Sequence, residues 1–449
     1  MSLKSYSVLI KKKINDFNKI AKVDSDKSIS IRSFLIGSIS NDVSKIKNPL
    51  ISEDVLSCIN CLRKLGVKIE KKNKNNYLVY GKGLGSLNAK KNFVLNCGNS
   101  GTLARLLIGI LSTTPNIKAK IEGDKSLNKR SMHNLILAMN EFGAEFHPKN
   151  KSRFPLTLTS SDMPVGTQFI SGKSAQIKSA IILAGLNSFG NTTIYEKLKT
   201  RDHTEKILLN NSKSIKILKT KKIIKIFGRK RMDRIVIDVP ADPSSAAFFA
   251  AMCLLNKNSK LTIKNVCLNP RRMGFYTLLK KHGGKIKIKK SKKKNNEIVG
   301  DIEVLSSRVR PINGKPQYYL SATDEYPIMF VIAALIRGTS KFQGIEDLAN
   351  KESNRILEMK KVLKKIGIVC KTNKDSIKIF GKGIIKKNNN IIKVDSKNDH
   401  RIAMSCAILS LVTGIKFLIK GFETVKTSSP SFLRILNDLG GNFEIKKTS

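Results

Sequence analysis

The chain has 449 residues, 41% of them hydrophobic and 26% charged, which is typical of a globular protein with room for two or more domains. No apolar run approaches the length of a membrane span, and residues 1–20 lack the apolar segment of a secretory signal, so we expect a cytoplasmic protein without a membrane partner. The formal net charge of +51 favours non-specific contact with polyanions, but lysines occur along the whole chain and only 6% of residues are aromatic, so no specific nucleic-acid interface is indicated.

The cysteines and arginines are more informative than the overall charge. Seven cysteines are scattered along the chain and are predicted to be reduced and mostly buried rather than paired in disulfides. Cys58 and Cys61 form a CxxC pair without a second pair, so zinc and redox chemistry are the less favoured interpretations and no metal site is expected. Only 17 of the 84 basic residues are arginine, whose planar two-pronged donor suits carboxylates and phosphates.

One local pattern recurs in chain order: an amphipathic helix ends in an apolar residue and a glycine, and a short strand follows. The glycines at these helix ends are Gly66, Gly143, Gly283, Gly367 and Gly440. They are about 75 residues apart with one gap of double length, and residues 205–211 supply a weaker copy inside that gap. Glycine suits the left-handed position after a helix, and asparagine is its usual substitute. The chain is therefore predicted to contain six copies of one α/β unit.

The arrangement of the six copies predicts the domains. The composition changes at residues 239–243, and three copies lie on each side of this point. A second crossing near residues 23–26 would let the first strand segment pack with the C-terminal half. We therefore expect two similar α/β domains, one of residues 1–24 and 241–449 and the other of residues 25–240.

Residues 97–105 (CGNSGTLAR) combine a predicted strand end, a glycine-rich turn and the start of a helix. Ser100 or Thr102 can cap this helix, and the glycines let backbone N–H groups approach a ligand closely. Such a turn at a helix N-terminus binds anions readily, and Arg105 follows one turn into the helix. Taken alone, an ordinary strand–turn–helix corner is the favoured interpretation, because short glycine motifs are common.

Similar short polar motifs, which we call phrases, precede other predicted helices. They begin at Asp26, Gly123, Ser174, Arg201, Asp242, Asp324, Lys351 and Asp399. For each phrase alone, helix capping and the helix dipole explain most of the residues, and capping is the favoured interpretation at Asp242. His203 and His400 are interpreted as structural hydrogen-bonding residues.

Two carboxylates in these phrases are candidates for proton transfer. Asp324 and Glu352 could act as acid and base, although Glu352 could instead only pair with Lys351 or Arg355. Lys351 and Arg355 are predicted to share one face of a helix. The candidate cations in the phrases are Lys27, Arg32, Arg105, Arg130, Arg201, Lys351, Arg355 and Arg401. If they converge, they would suit the phosphates and carboxylates of two small substrates.

Taken together and in this order, the phrases resemble those of the 5-enolpyruvylshikimate-3-phosphate synthase family, over residues 26–430. The motifs that carry the resemblance are GNSGT-x-x-R, SAQ-x-KSA, TRDHTEK, DPSSAA, DEYP, KES-x-R and DHRIAM. The family implies two domains, each with three βαβαββ units in a pseudo-threefold array (an inside-out α/β barrel), in agreement with the six copies. It also implies enolpyruvyl transfer from phosphoenolpyruvate to the 5-hydroxyl of shikimate 3-phosphate, by addition and then elimination of phosphate. No cofactor is expected, and we expect a monomer.

The resemblance also implies roles for individual residues. Shikimate 3-phosphate would be held by Lys27, Ser28, Arg32, Ser174, Ala175, Gln176, Arg201, Asp324 and Lys351. Phosphoenolpyruvate would be held by Lys27, Asn99, Gly101, Thr102, Arg130, Gln176, Arg355, Arg401 and Lys426. Asp324 and Glu352 would transfer protons, with Lys27 and Lys351 assisting. Hinge closure would exclude water and assemble the site from both domains.

Four residues at three sites depart from the family pattern. The departures are Asp24-Ser25 in place of Pro-Gly, Ser131 in place of a proline, and Ser429 in place of an aromatic residue. They concern loop geometry rather than the reaction. Gly101 leaves space where some family members have a methyl group, so we expect inhibition by glyphosate.

Two alternative functions are left open. The related UDP-N-acetylglucosamine enolpyruvyl transferases usually have a cysteine in the loop that matches residues 124–132, and no cysteine lies there. A polyanion-binding protein is suggested only by the charge of +51. Steeply salt-dependent DNA binding without competition from substrate would favour that alternative.

Overall fold

The computed structural model describes residues 5–88, 93–211, 213–386 and 390–447. The helices are α1 (Lys27–Ser38), α2 (Glu53–Lys64), α3 (Gly101–Ser112), α4 (His133–Asn140), α5 (Ala175–Gly185), α6 (His203–Asn211), α7 (Pro243–Leu255), α8 (Gly274–Lys281), α9 (Tyr319–Ala322), α10 (Tyr326–Ala334), α11 (Arg355–Lys365), α12 (His400–Thr413) and α13 (Phe432–Asp438). The strands are β1 (Tyr6–Ile10), β2 (Asn18–Ala21), β3 (Val43–Lys47), β4 (Ile69–Asn73), β5 (Asn76–Tyr80), β6 (Phe93–Asn96), β7 (Lys118–Glu122), β8 (Glu145–His147), β9 (Leu156–Thr159), β10 (Gln168–Ser171), β11 (Asn191–Glu196), β12 (Ile215–Leu218), β13 (Ile223–Phe227), β14 (Val236–Asp238), β15 (Lys260–Cys267), β16 (Lys285–Lys294), β17 (Glu297–Leu305), β18 (Asn313–Gly314), β19 (Gly338–Gln343), β20 (Val369–Thr372), β21 (Ser376–Gly381), β22 (Ile392–Asp395), β23 (Phe417–Lys420) and β24 (Glu444–Lys447).

The strands of the described residues form six four-stranded sheets of one design. In each sheet one edge strand is parallel to its neighbour, and that neighbour is antiparallel to the third strand. The strand orders are β14-β3-β5-β4, β6-β7-β9-β8, β10-β11-β13-β12, β2-β15-β17-β16, β18-β19-β21-β20 and β22-β23-β1-β24. β1 therefore lies between two strands from the end of the chain. The repetition confirms the predicted α/β fold of six units.

Each set of three sheets accompanies three helices that are buried on almost every side. α1, α3 and α5 belong to one set, and α7, α10 and α12 to the other. Most of these helices are apolar all round, and buried hydroxyls are satisfied locally, as where Ser33 Oγ donates to Ile29 O at 2.9 Å. In contrast, α2, α8 and α11 have one apolar and one polar face. Strands such as β3 and β7 alternate between buried and exposed residues, so helices lie inside and sheets outside.

The chain divides into two compact units. The central unit contains Ser25–Val239 and Lys293–Glu297, and the terminal unit contains Met1–Asp24, Pro240–Lys292 and Ile298–Ser449. Helices α1–α6 therefore belong to the central unit, and α7–α13 to the terminal unit. One apolar cluster fills the terminal unit, from Val8 in β1 to Leu439 just after α13.

The five glycines predicted to end helices all have a left-handed backbone conformation. Their φ angles are 82° at Gly66, 85° at Gly143, 97° at Gly283, 76° at Gly367 and 96° at Gly440. They follow α2, α4, α8, α11 and α13 in that order. The N–H groups beyond the last helical turn return to it, as where Gly440 N donates to Asn437 O at 2.9 Å. The prediction of these helix ends is confirmed.

Two predictions from composition can also be compared with the structure. Six of the seven cysteines are buried, Cys370 is partly exposed, and all seven are free thiols. No helix within the described residues is long and apolar enough to span a membrane.

We predict that Gly440→Ala lowers the free energy of unfolding by about 1–2 kcal/mol, because alanine is strained at positive φ. A methyl group at Gly440 would meet no other atom within 4 Å, so the cost is conformational. Gly172 also has open space around its Cα but no left-handed φ, so Gly172→Ala is the matched control and should leave stability unchanged or slightly higher. Urea unfolding followed by circular dichroism measures both; equal losses in the two variants would contradict the prediction.

Candidate active site

The three buried helices of the central unit each begin at a capping side chain. The caps are Asp26 at α1, Ser100 at α3 and Ser174 at α5, and each accepts a hydrogen bond from the backbone three residues on, at 2.8, 3.2 and 3.3 Å. Of the two candidates for the α3 cap, the structure therefore selects Ser100 over Thr102. A capped N-terminus still carries a positive partial charge and free N–H groups, which attract anions.

The starts of α3 and α5 are in contact through a glutamine. Gln176 Nε2 donates to Thr102 Oγ1 at 3.0 Å, and Gln176 Oε1 accepts from Arg105 Nη1 at 2.8 Å. Ala175 is the first residue of α5, next to the cap residue Ser174. Four of the predicted ligands thus lie together at these two helix N-termini.

Arg32 lies in the second turn of α1, and its guanidinium reaches both α5 and α6. Nε donates to Thr204 Oγ1 at 2.8 Å, Nη2 to Ser179 Oγ at 3.1 Å, and Nη1 to Ser28 O at 3.0 Å. Arg32 is only 3% exposed, so hydroxyl and carbonyl dipoles help to stabilise a buried cation. The predicted ligand Arg201 lies two residues before α6.

Asn99 and Arg130 are held together beside the glycine-rich turn. Arg130 Nη2 donates to Asn99 Oδ1 at 3.0 Å, and Asn99 Nδ2 donates to Asp124 Oδ2 at 2.6 Å. A methyl group at Gly101 would lie 2.7 Å from Arg105 Nη1 and 3.0 Å from Arg130 Nη1. The space expected beside Gly101 is therefore taken by the movable ends of two arginine side chains, and the expected inhibition by glyphosate stays a prediction.

Lys27 is the first residue of α1 and pairs with a carboxylate of α2. Its Nζ lies 2.9 Å from Asp54 Oδ2, and the Asp54 side chain is almost fully buried. The sequence analysis did not single out Asp54. Asp54 lies in the first turn of α2, where a carboxylate is already explained by its favourable interaction with the helix dipole.

In the terminal unit, Arg355 gathers three carboxylates. Its Nε lies 2.9 Å from Asp399 Oδ2, its Nη2 lies 2.6 Å from Glu352 Oε2, and its Nη1 lies 3.6 Å from Asp324 Oδ1. Burial opposes the charge of this guanidinium, but the carboxylates of Asp399, Glu352 and Asp324 outweigh burial and raise its pKa above the usual value. The two candidate proton-transfer residues, Asp324 and Glu352, therefore share one permanent cation.

Arg401 lies in the first turn of α12 and is 4% exposed. Its backbone N donates to Asp399 Oδ1 at 2.9 Å, and its guanidinium carbon lies 5.7 Å from the centre of the Phe248 ring. Its Nε and Nη1 are buried and have no hydrogen-bond partner among the described residues. Buried donors without partners are costly and rare in folded proteins.

The predicted helical face shared by Lys351 and Arg355 is wrong. Asn354 Oδ1 accepts from Leu357 N at 3.1 Å and so caps α11, which begins at Arg355. Lys351 lies before the helix, and its Nζ pairs with Asp347 Oδ2 at 2.6 Å. Glu352 pairs with Arg355 at 2.6 Å, and its role in proton transfer stays a prediction.

Lys426 is exposed and lies in a 3₁₀ turn at Phe422–Thr427. Its Nζ is 5.4 Å from the centre of the Tyr6 ring, a cation–π distance. It is not part of the cluster of carboxylates around Arg355.

Asp399 is part of that cluster. The sequence analysis noted Asp399 only as the first residue of a polar phrase, because an aspartate that caps a helix cannot be told in a sequence from one that pairs with an arginine.

Two of the departures from the family pattern contact each other. Ser429 Oγ donates to Asp24 Oδ2 at 2.8 Å, and Ser431 N donates to the same oxygen at 3.0 Å. Burial raises the pKa of the Asp24 carboxyl, and these hydrogen bonds lower it by less. The backbone carbonyl of Asp24 also accepts a hydrogen bond from Asp242 N at 2.8 Å. Asp24 ends the first segment of the terminal unit and Asp242 lies near the start of the second, so this hydrogen bond connects the two segments.

The geometry can be compared with known proteins. Residues 11–436 match the family model described as EPSP synthase (3-phosphoshikimate 1-carboxyvinyltransferase). The chain is 36% identical over 443 residues to the 3-phosphoshikimate 1-carboxyvinyltransferase of Zymomonas mobilis, an alignment that covers 97% of each chain. It is 38% identical to the protein of that name from Petrotoga mobilis, over 92% of this chain and 95% of the other.

Solved structures are similar over almost the whole chain. An EPSP synthase structure from Acinetobacter baumannii has a TM-score of 0.85 and 32% identity, with 98% of this chain and 100% of the other covered. The enolpyruvyl transferase NikO from Streptomyces tendae has a TM-score of 0.77 at 13% identity, which shows a shared fold.

We predict that Asp24→Asn gains stability relative to the wild type as the pH rises from about 4 to 7. A carboxyl whose folded pKa is raised contributes stability that is present below its unfolded pKa, near 3.9, and is lost as the pH rises through the folded pKa. The amide keeps an acceptor for Ser431 N but carries no charge. Urea unfolding at several pH values measures the difference between the two proteins.

The matched control is Asp438→Asn, which replaces an exposed aspartate of α13 that pairs with Arg434 at 3.2 Å. Its stability relative to the wild type should change less between these pH values. A pH-independent difference for Asp24→Asn would contradict the prediction.

Proposed function

The chain belongs to the EPSP synthase family, and from that premise we propose that it catalyses the family's reaction. Phosphoenolpyruvate gives its enolpyruvyl group to the 5-hydroxyl of shikimate 3-phosphate, and phosphate is released, in aromatic amino acid biosynthesis. Each substrate carries a phosphate and a carboxylate, so the site needs several cations. The observation that carries the proposal is Arg401, a buried guanidinium whose Nε and Nη1 have no hydrogen-bond partner among the described residues.

In the central unit, we assign shikimate 3-phosphate to the starts of α1, α5 and α6. Arg32 and Arg201 would pair with its anionic groups, and Ser28, Ser174 and Gln176 would donate or accept hydrogen bonds beside the Ala175 backbone. The helix N-termini add positive partial charge at the same place. The contacts of Arg32 with α5 and α6 support this assignment.

We assign phosphoenolpyruvate in the central unit to the start of α3. Arg130 would pair with phosphoenolpyruvate. The binding site would be lined by Asn99, Gly101, Thr102 and Gln176. The support is local: Asn99 contacts Arg130, and Gln176 contacts Thr102. Lys27 would serve both substrates as a compact positive charge.

In the terminal unit, we assign Arg355, Arg401 and Lys426 to phosphoenolpyruvate, and Asp324 and Lys351 to shikimate 3-phosphate. Arg401 has unused buried donors, as an anion ligand requires. Arg355 is already surrounded by carboxylates, so it would hold substrate chiefly through its charge.

The reaction needs proton transfer in both directions. In the addition step, the methylene carbon of phosphoenolpyruvate gains a proton while the 5-hydroxyl oxygen bonds to the neighbouring carbon and loses its proton. In the elimination step, the new methyl group loses a proton while the carbon–oxygen bond to phosphate breaks. We assign these transfers to Asp324 and Glu352, because Arg355 holds both carboxylates. Lys27 and Lys351 would offset the negative charge of the substrates.

We further propose that a monomer in the cytoplasm carries out this reaction without a metal or cofactor. All the assigned ligands lie in one chain, so the proposed reaction requires no residue from a partner subunit. Addition and elimination form and break carbon–oxygen and carbon–hydrogen bonds without net oxidation or reduction, so the chemistry needs no redox group.

A single-turnover assay tests the proposal. The purified chain is mixed with shikimate 3-phosphate and phosphoenolpyruvate, and phosphorus NMR follows both substrates, the product and free phosphate. We expect one phosphate per enolpyruvyl product, and none when either substrate is omitted. Turnover with UDP-N-acetylglucosamine in place of shikimate 3-phosphate would favour the related transferase instead.

We predict that Glu352→Gln lowers kcat by about 100-fold or more and changes both KM values by less than about threefold, since general acid–base groups contribute roughly 10²–10⁴. Steady-state kinetics in both substrates measures these values. Glu358→Gln on α11 is the matched control, because Glu358 is not among the assigned residues and pairs with Lys361 at 2.7 Å. A kcat that falls equally in both variants would count against the assignment of Glu352.

We predict that glyphosate at about millimolar concentration inhibits the wild type, and that Gly101→Ala weakens both glyphosate inhibition and phosphoenolpyruvate binding. The added methyl group would lie within 3.0 Å of the present positions of Arg105 Nη1 and Arg130 Nη1 and would have to displace them. Inhibition constants and the KM for phosphoenolpyruvate measure the effect. An unchanged KM in the variant would contradict the prediction.

A further inference from the structure

Lys178 is a buried cation that the assignments above do not use. It lies in the first turn of α5, and its side chain is 0% exposed. Its Nζ is 2.7 Å from Glu196 Oε1 and 2.6 Å from Glu205 Oε1. Glu196 is the last residue of β11, and Glu205 lies in the first turn of α6. One ammonium group therefore ties together the start of α5, the start of α6 and the end of a strand.

The neighbouring residues on the same two helices form a second link. Thr204 Oγ1 donates to Ser179 Oγ at 2.9 Å, and both hydroxyls accept hydrogen bonds from Arg32. Residues 178 and 179 on α5 thus meet residues 204 and 205 on α6 in two adjacent contacts, one ionic and one between hydroxyls. The hydroxyl contact holds the guanidinium of Arg32, and the ionic contact lies next to it.

We infer that Lys178, through Glu205, is a positioning residue for shikimate 3-phosphate; this inference rests on the proposed function. The segments that it joins carry the ligands assigned to that substrate: Ser174 and Gln176 at the start of α5, and Arg201 just before α6. Because Thr204 is adjacent to Glu205, the spacing between the helices also sets the hydroxyl contacts of Arg32.

A purely stabilising role accounts poorly for this cluster. Taking charges out of water costs free energy, and replacing a buried ion pair by well-packed apolar residues is often neutral or stabilising. α5 is otherwise apolar along its buried length, from Ala180 to Ala184. A directional contact between charged groups instead defines the relative position of two helix starts, and errors of about 1 Å in such positions can cost 100-fold in rate.

Two single substitutions separate the links of Lys178. Glu205→Gln weakens the tie to α6 and leaves Lys178 paired with Glu196. Glu196→Gln is the matched control, because it weakens the tie to β11 and leaves Lys178 paired with Glu205. Each variant retains one ion pair for the buried ammonium group, so both are expected to fold. Circular dichroism and thermal unfolding verify this.

Titration calorimetry with shikimate 3-phosphate, followed by steady-state kinetics, is the experiment. We expect Glu205→Gln to raise the Kd and KM for shikimate 3-phosphate by about tenfold or more, with the KM for phosphoenolpyruvate changed by less than about threefold. Glu196→Gln should leave all three values within about threefold of the wild type. Lys178→Met should resemble Glu205→Gln or exceed it.

Ile182→Ala supplies a control for lost stability, since Ile182 is fully buried in α5. It should lower the unfolding midpoint without separating the two KM values. Unchanged binding in Glu205→Gln, equal effects of Glu205→Gln and Glu196→Gln, or equal rises in both KM values would overturn the inference. Absence of shikimate 3-phosphate binding to the wild type would instead overturn the proposed function, and the inference with it.

Discussion

A helix whose sides are buried can present polar groups to a ligand only near its ends, where backbone N–H groups lack partners within the helix. Each unit of this protein contains three such helices, and this constraint determines where its polar residues lie. In five of the six, a side chain accepts from the backbone at the helix start. These caps are Asp26, Ser100, Ser174, Asp242 and Asp399. The capped ends are the parts of the buried helices where polar chemistry can be placed.

The same helix starts explain the arrangement of the cations. A helix N-terminus already favours anions, and arginines beside it add full charges with two-pronged geometry. The protein keeps these cations in place with different partners. Arg32 is held by hydroxyls and a carbonyl, Arg105 by the Gln176 amide, and Arg355 by carboxylates. Arg401 differs from them, because two of its buried donors have no partner among the described residues.

The outer layer of each unit serves a structural purpose. The amphipathic helices end at glycines with positive φ, and each turns into a strand whose outer face is solvated. One departure from the family pattern, Ser131, directly follows the assigned ligand Arg130, and two others, Asp24 and Ser429, lie in the terminal unit. Asp24 and Ser429 form one hydrogen bond, so two changes that look independent in the sequence are a single contact in the fold.

Much of this protein can be predicted from local patterns in its sequence. The six repeats, the five glycine-ended helices and the polar phrases at helix starts all depend on contacts within a few residues, which periodicity and turn chemistry reveal. The family resemblance follows from the order of those phrases. The prediction that Lys351 and Arg355 share one face of a helix was wrong, because Asn354 caps the helix and the helix therefore begins only at Arg355.

Only the tertiary structure decided which phrases meet within each unit. Asp399 and Arg355 are 44 residues apart, Arg32 and Thr204 are 172 apart, and Asp24 and Ser429 are 405 apart. The same is true of Gly101, whose apparent space is filled by arginines from two different segments. A sequence shows which residues can cap a helix or carry charge, but the partner of a buried charge is selected by the packing of distant helices against one another.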